Sequence, residues 1–157
     1  MSMHKYLVGC HLVLFTIFSG CNQADTNTIS ASGIVIYAGS PVAGAEVAFL
    51  PVDLSSETKP ARGTTDSNGR FVVKTYFSSQ VDAKGVRPGQ YSVTVQKLAP
   101  PNGMTMDEWQ IANMENANST PPLRSLVPEK FSSAETSGLS ATVEKDGEND
   151  FTFDLGS

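Results

Sequence analysis

The chain has 157 residues, with 16 acidic against 11 basic side chains and a formal charge of −5 at pH 7. Such an acidic balance argues against phosphate backbones as partners, and the basic residues are scattered singly along the sequence, unlike the clusters that grip nucleic acid or anionic lipid. Both histidines, His4 and His11, and one of the two cysteines, Cys10, precede Cys21. A chain beginning at Cys21 therefore has no means of forming a Ser-His-Asp triad, a Cys-His pair, a histidine zinc site or an internal disulfide.

The first element reads as a leader: a basic start at Lys5, an apolar core over residues 6–18, and the small residues Ser19 and Gly20 ahead of Cys21. That core is shorter than the roughly 20 apolar residues a transmembrane helix needs, and the polar run Asn22-Gln23-Ala24-Asp25-Thr26-Asn27 follows at once. Phe18-Ser19-Gly20-Cys21 resembles the bacterial lipobox, with Phe18 where a branched residue, commonly Leu, is usual. Leu7-Val8-Gly9-Cys10 fits the same pattern, but too little chain precedes it for an apolar core. The resemblance implies cleavage after Gly20 and acylation of Cys21. The alternative is ordinary secretion with Cys21 as a free thiol, and a lone secreted cysteine without a partner favours the anchor. Each buried methylene contributes about 0.8 kcal/mol of membrane affinity, and stable attachment takes more than one chain, which a diacylated or triacylated Cys supplies. The expected location is the outer side of the cytoplasm, on the periplasmic face or the outer membrane.

Removing residues 1–20 leaves 137 residues and a charge of −6, because Lys5 leaves and no acidic residue does. That length suits one domain burying about two-thirds of its unfolded surface. Residues 21–31 are the acylated Cys and a small, polar, aperiodic tether, and residues 32–157 are the domain.

Within the domain, Gly33-Ile34-Val35-Ile36-Tyr37 and Ala45-Glu46-Val47-Ala48-Phe49-Leu50 predict two strands joined by a Gly/Pro turn. After a Ser/Pro loop, Asp66-Ser67-Asn68-Gly69 predicts a turn, with Gly69 suited to positive φ and Asp66 accepting backbone N–H bonds inside it. The oxygens of Asp66 and Asn68 resemble the front of a calcium loop, but no later Glu stands at the required spacing, so the turn is read as structural and no metal site is expected. A strand over residues 70–76 places Phe71, Val73 and Thr75 on one face and Arg70, Val72 and Lys74 on the other. The cleanest alternation follows, with Tyr91, Val93 and Val95 against Gln90, Ser92, Thr94 and Gln96.

The connection over residues 98–131 is too long for a plain hairpin loop. Thr105 and Glu108 predict a capping box opening a short helix to about Asn116. Trp109, Met106 and Met114 lie here as candidate partner-binding residues; the alternative is that Trp109, Ile111 or Met114 folds back over a sheet edge or face. Asn118-Ser119-Thr120 matches a glycosylation sequon, of little meaning in a bacterial lipoprotein. Leu139 to Val143 and Phe151 to Leu155 alternate around Lys145-Asp146-Gly147-Glu148-Asn149 and predict a terminal hairpin. Taken together, the elements predict an all-β, seven-stranded antiparallel β-sandwich with one long loop holding a short helix.

Gly33-Ile34-Val35, Pro41-Val42-Ala43-Gly44-Ala45-Glu46-Val47, Gly63-Thr64-Thr65-Asp66-Ser67-Asn68-Gly69-Arg70-Phe71 and Pro88-Gly89-Gln90-Tyr91-Ser92-Val93-Thr94-Val95 resemble the carboxypeptidase regulatory-like domain, a transthyretin-like sandwich. With the lipobox and the tail Val127-Pro128-Glu129-Lys130-Phe131 followed by Ser137-Gly138-Leu139, the chain is similar to small lipoproteins abundant in planctomycetes. The resemblance implies a fold and an accessory or structural role, and fold alone does not fix activity. Three functions compete. The first is a non-catalytic, membrane-anchored interaction or structural module at the cell envelope, without cofactor or nucleic-acid partner. The second is a glycan-binding module using Trp109, Tyr76 or Tyr91. The third is a transthyretin-like hydroxyisourate hydrolase, whose family relies on histidines and a C-terminal Tyr-Arg-Gly-Ser; this chain ends Asp154-Leu155-Gly156-Ser157. Paired-carboxylate catalysis would have to draw on Asp53, Glu57, Asp66, Asp82, Asp107 or Glu108, all in predicted turns and loops where carboxylates are solvated.

Overall fold

The computed structural model describes residues 27–53, 58–78 and 81–156. The expected leader, with Cys10, Phe18, Ser19 and Gly20, and the expected anchor residue Cys21 lie outside the described residues. Alternating β-branched and aromatic residues cut by Gly, Pro and Asn form short strands: β1 (Ser32–Tyr37), β2 (Ser40–Pro41), β3 (Glu46–Pro51), β4 (Ala61–Thr64), β5 (Arg70–Val72), β6 (Lys74–Ser78), β7 (Val81–Lys84), β8 (Gly89–Gln96), β9 (Leu98–Ala99), β10 (Arg124–Ser125), β11 (Leu139–Val143) and β12 (Asp150–Asp154). Two helices, α1 (Met106–Asn116) and α2 (Ala134–Ser137), and a 3₁₀ turn (Glu129–Ser132) interrupt them.

Two main sheets carry the fold. The larger is antiparallel in the order β11-β8-β3-β4-β6-β7. In the smaller, β1 pairs with β12 on one side and with β2 and β5 on the other. A separate ribbon joins β9 to β10. Side chains at alternate positions of both sheets meet in one core, with Val35, Phe71 and Phe153 from the smaller and Val47, Phe49, Tyr91 and Val95 from the larger. Phe49 is the hub. Its ring stands 6.2 Å from Phe71, 5.8 Å from Tyr91, 5.7 Å from Phe151 and 6.2 Å from Phe153, in the tilted and edge-on geometries that aromatic quadrupoles favour.

The mostly antiparallel, all-β architecture agrees with the expectation, and three details differ. Among the described residues there are twelve strands where seven were expected, because several are two- to four-residue pieces and the predicted 70–76 strand breaks at Val73. Its facing holds: Phe71, Val73 and Thr75 are buried while Arg70, Val72 and Lys74 are exposed. At the break the chain leaves the smaller sheet as β5 and enters the larger as β6.

The expected terminal hairpin does not form. β11 pairs with β8 and β12 runs parallel to β1, from Ser32 opposite Asp150 to Ile36 opposite Asp154. The reason lies at Asn149: its side-chain oxygen accepts from Glu144 N (2.9 Å) and its amide donates to Glu144 O (2.9 Å), so the turn closes on itself, and Asn149 O then accepts from Ser32 N. The Gly/Pro turn near the start likewise does not pair its flanking strands. β1 turns back on the short β2, and β3 belongs to the other sheet.

Candidate functional site

Strand β4 is interior to the larger sheet, flanked by β3 and β6, so its outward side chains stand in register with theirs. Arg62 lies opposite Lys74, and Lys74 opposite Lys84 on β7, which gathers three cations into one row across the outer face. On one side of that row Tyr76 faces Asp82, and on the other Glu46 faces Thr64. Arg62 Nη1 donates to Glu46 Oε1 at 2.8 Å, and Lys74 Nζ lies 3.6 Å from Asp82 Oδ2. Both pairs are about half exposed, where an ion pair contributes only about 0–1 kcal/mol.

Between these side chains runs an open trough of about 310 Å³, walled by Glu46, Arg62, Lys74 and Tyr76 and floored at Gly63. Gly63 is required there: a Cβ would stand 2.5 Å from Val72 O, in the backbone of the crossing strand. Tyr76 and Val72, 57% and 52% exposed, supply apolar surface among the charges. Thr64 and Val72 also line a second hollow of about 530 Å³ that reaches Asp66 and Arg70. Arg70 Nη2 donates to both Asp150 oxygens (2.9 and 3.2 Å) and Ser32 Oγ donates to Oδ1 (2.8 Å). The Ser32 hydroxyl, and after it Arg70, hold the Asp150 carboxyl below its ordinary range.

The residues singled out from sequence fall in three places. Asp66, Asn68 and Gly69 come together in the expected turn: Asp66 Oδ1 accepts from Asn68 N (2.8 Å) and Arg70 N (2.9 Å), and Gly69 has φ +73°. Thr105 caps α1, accepting from Glu108 N while Glu108 Oε2 accepts from Thr105 N at 2.8 Å; the Thr105 backbone bond, then its hydroxyl, lower the Glu108 pKa.

The helix itself contributes no buried side chain. Trp109 is half-buried, its Nε1 donating to Pro121 O at 2.7 Å within the same connection. Met106 and Ile111 are exposed, and Met114 is 86% exposed. The fold-back expected of Ile111 or Met114 therefore does not occur, because no apolar stripe along α1 turns it toward the sheets. Of the two tyrosines offered as stacking platforms, Tyr91 is core, its Oη donating to Arg87 O (2.7 Å), and burial pushes its pKa up to about 12 against the opposing pull of Arg87. Tyr76 is the exposed one.

Sequence reasoning missed Arg62, Lys74, Lys84 and Glu46. The cations look scattered along the chain, and only strand register aligns them. Their outward parity was readable; their partners were not.

Among the described residues no group of three or more His, Cys, Asp and Glu side chains is placed to hold a metal ion, and no helix is long and apolar enough to cross a membrane. No protein-family model and no curated protein matches the chain. Among solved structures it is similar to a 9R-lipoxygenase from Cyanothece PCC8801, at 14% identity and a TM-score of 0.33 over 83% of this chain. The match spans 16% of the lipoxygenase chain, and at that TM-score it carries no argument about fold or activity.

Proposed function

We propose that this chain is a non-catalytic interaction module displayed at a bacterial cell envelope, on a carboxypeptidase regulatory-like, transthyretin-like sandwich anchored through acylated Cys21 after cleavage behind Phe18-Ser19-Gly20. One observation carries the non-catalytic reading: the polar side chains inside the described fold are spent on its own backbone. Thr65 Oγ1 donates to Val42 O and accepts from Ala45 N, Thr75 donates to Gly85 O, Ser137 donates to Val93 O, and Asn149 closes its turn. Buried, perturbed acid–base groups are what a catalytic cleft requires. What this domain offers to other molecules is instead an outer sheet face with a charged and aromatic trough.

The anchor is tested by intact mass of the membrane-extracted protein. A di- or triacylated Cys21 terminus is the expected result, and an unmodified Met1 start overturns it. The interaction role is tested by pulldown from envelope extracts: no captured component, together with normal envelope integrity in a deletion strain, overturns that part. A glycan ligand is the reading favoured within it, because Tyr76 presents its ring beside hydrogen-bonding charges. That replaces the long-loop aromatics as the best platform, since Trp109 has its N–H committed to Pro121 O.

A further inference from the structure

We infer that the trough along β4 binds an acidic saccharide, a chain of carboxylate-bearing sugar rings. This rests on the interaction-module reading and names the ligand class of its site. Four observations lead there. The chain is acidic overall, yet Arg62, Lys74 and Lys84 stand in one row, and Lys84 makes no ion pair among the described residues. The Glu46 contact to Arg62 engages only Nη1, and Lys74 sits 3.6 Å from Asp82 rather than at hydrogen-bond distance, so an incoming carboxylate displaces little.

The row is bordered by acceptors, the Glu46 carboxylate and the Thr64 hydroxyl, and by the exposed Tyr76 ring. Cations, acceptors and an aromatic face within one open hollow match carboxylates, hydroxyls and the apolar face of a sugar ring. The Glu46 carboxylate repels a polyphosphate more strongly than a carboxylate-bearing sugar, because the polyphosphate's charge density is far higher. A peptide strand is disfavoured because β4 is paired on both sides and leaves no backbone ladder to extend. A second hollow that shares Thr64 and Val72 with the first reaches Arg70. Together the two hollows give room for more than one ring, with Arg70, already paired with Asp150, at the far end.

The test is calorimetric titration of the purified protein with oligogalacturonate and with the same oligomer after carboxyl reduction. The expected result is saturable binding of the acidic form, at least tenfold weaker binding of the reduced form, and affinity falling with added salt. Tyr76→Ala and Arg62→Gln should each weaken binding at least tenfold with unchanged thermal unfolding, Tyr76→Phe should keep it, and Met114→Ala should leave it unaltered. Equal affinity for the reduced oligomer, insensitivity to Tyr76→Ala, or no heat with either oligomer overturns the inference. If the oligomers fail while an envelope protein is captured and lost with Tyr76→Ala, the ligand class is wrong and the interaction-module reading stands. If the pulldown is blank too and a deletion strain keeps normal envelope integrity, both fall.

Discussion

Gly63→Ala is the substitution whose effect follows most directly from the geometry. Gly63 lies on β4 where β5 passes over to become β6, and an added Cβ would stand 2.5 Å from Val72 O, 3.1 Å from Val72 C and 3.4 Å from Val73 Cα. All three are backbone atoms, so no side-chain rotation relieves them. Restoring an ordinary carbon contact requires the strands to part by about 1 Å. The movement is opposed on both sides: β5 is bonded to β1, β4 to β3 and β6, and Val73 N donates to Ala31 O at 3.1 Å. Overpacking of this kind costs about 1–3 kcal/mol, and the loss of backbone hydrogen bonds at the seam raises the expected total to about 3 kcal/mol. Urea unfolding monitored by far-UV circular dichroism measures it as a shift in midpoint at unchanged slope. Gly39→Ala is the control: nothing lies within 4 Å of its Cβ, and only its φ of +72° is unfavourable, for about 1 kcal/mol. If Gly63→Ala unfolds within 0.5 kcal/mol, by order of magnitude, of the parent, or no further than Gly39→Ala, the close strand crossing is wrong.

Other outcomes follow from single groups. Tyr91→Phe should cost about 1–2 kcal/mol by leaving Arg87 O without its 2.7 Å donor. The tyrosine also gives a pH signature: its folded pKa of about 12 lies above the ordinary tyrosine value of 10.0, so its contribution is whole below pH 10 and is lost as pH rises toward 12. That alkaline loss, about 1–2 kcal/mol after discounting for water at the hydroxyl, should be missing from Tyr91→Phe when both are denatured at pH 8 and pH 12. Thr65→Val orphans both Val42 O and Ala45 N, which the hydroxyl serves at 2.6 and 2.8 Å, and should lower the urea-derived stability by about 2–4 kcal/mol. Thr105→Ala removes the α1 cap, worth about 0.5–2 kcal/mol, yet α1 buries nothing, so amide exchange over residues 106–116 should quicken while the melting temperature stays unchanged. A fall in melting temperature there would mean that α1 is coupled to the core.

The parts legible in the sequence were those set by neighbours along the chain. Tyr91, Val93 and Val95 show their facing by parity, Asp66 and Gly69 their turn by side-chain chemistry, and Thr105 with Glu108 their cap by a spacing that only a helix uses. Strand pairing is a different kind of information. Alternation around residues 145–149 says which faces are buried, and it is equally satisfied by a hairpin or by two strands in separate sheets. The deciding interaction is Asn149 bonding both backbone groups of Glu144, a contact that shows in sequence only as one more turn residue. Likewise Phe71, Val73 and Thr75 keep one parity through a strand that changes sheets at Val73, so the crossing is invisible to periodicity.

The crossing also explains why the candidate site was hidden. A sandwich must pass strands between its layers, and here it does so beside a glycine, because Val72 O approaches β4 too closely for a side chain. The same crossing sets β6 beside β4, which brings Lys74 opposite Arg62 and places Tyr76 on the rim. The facing of Lys74 and Arg62 and the placement of Tyr76 are thus consequences of one topological event, and neither is a local sequence motif. A strand that stayed in the smaller sheet would leave Arg62 with Glu46 but take Lys74 and Tyr76 away from them.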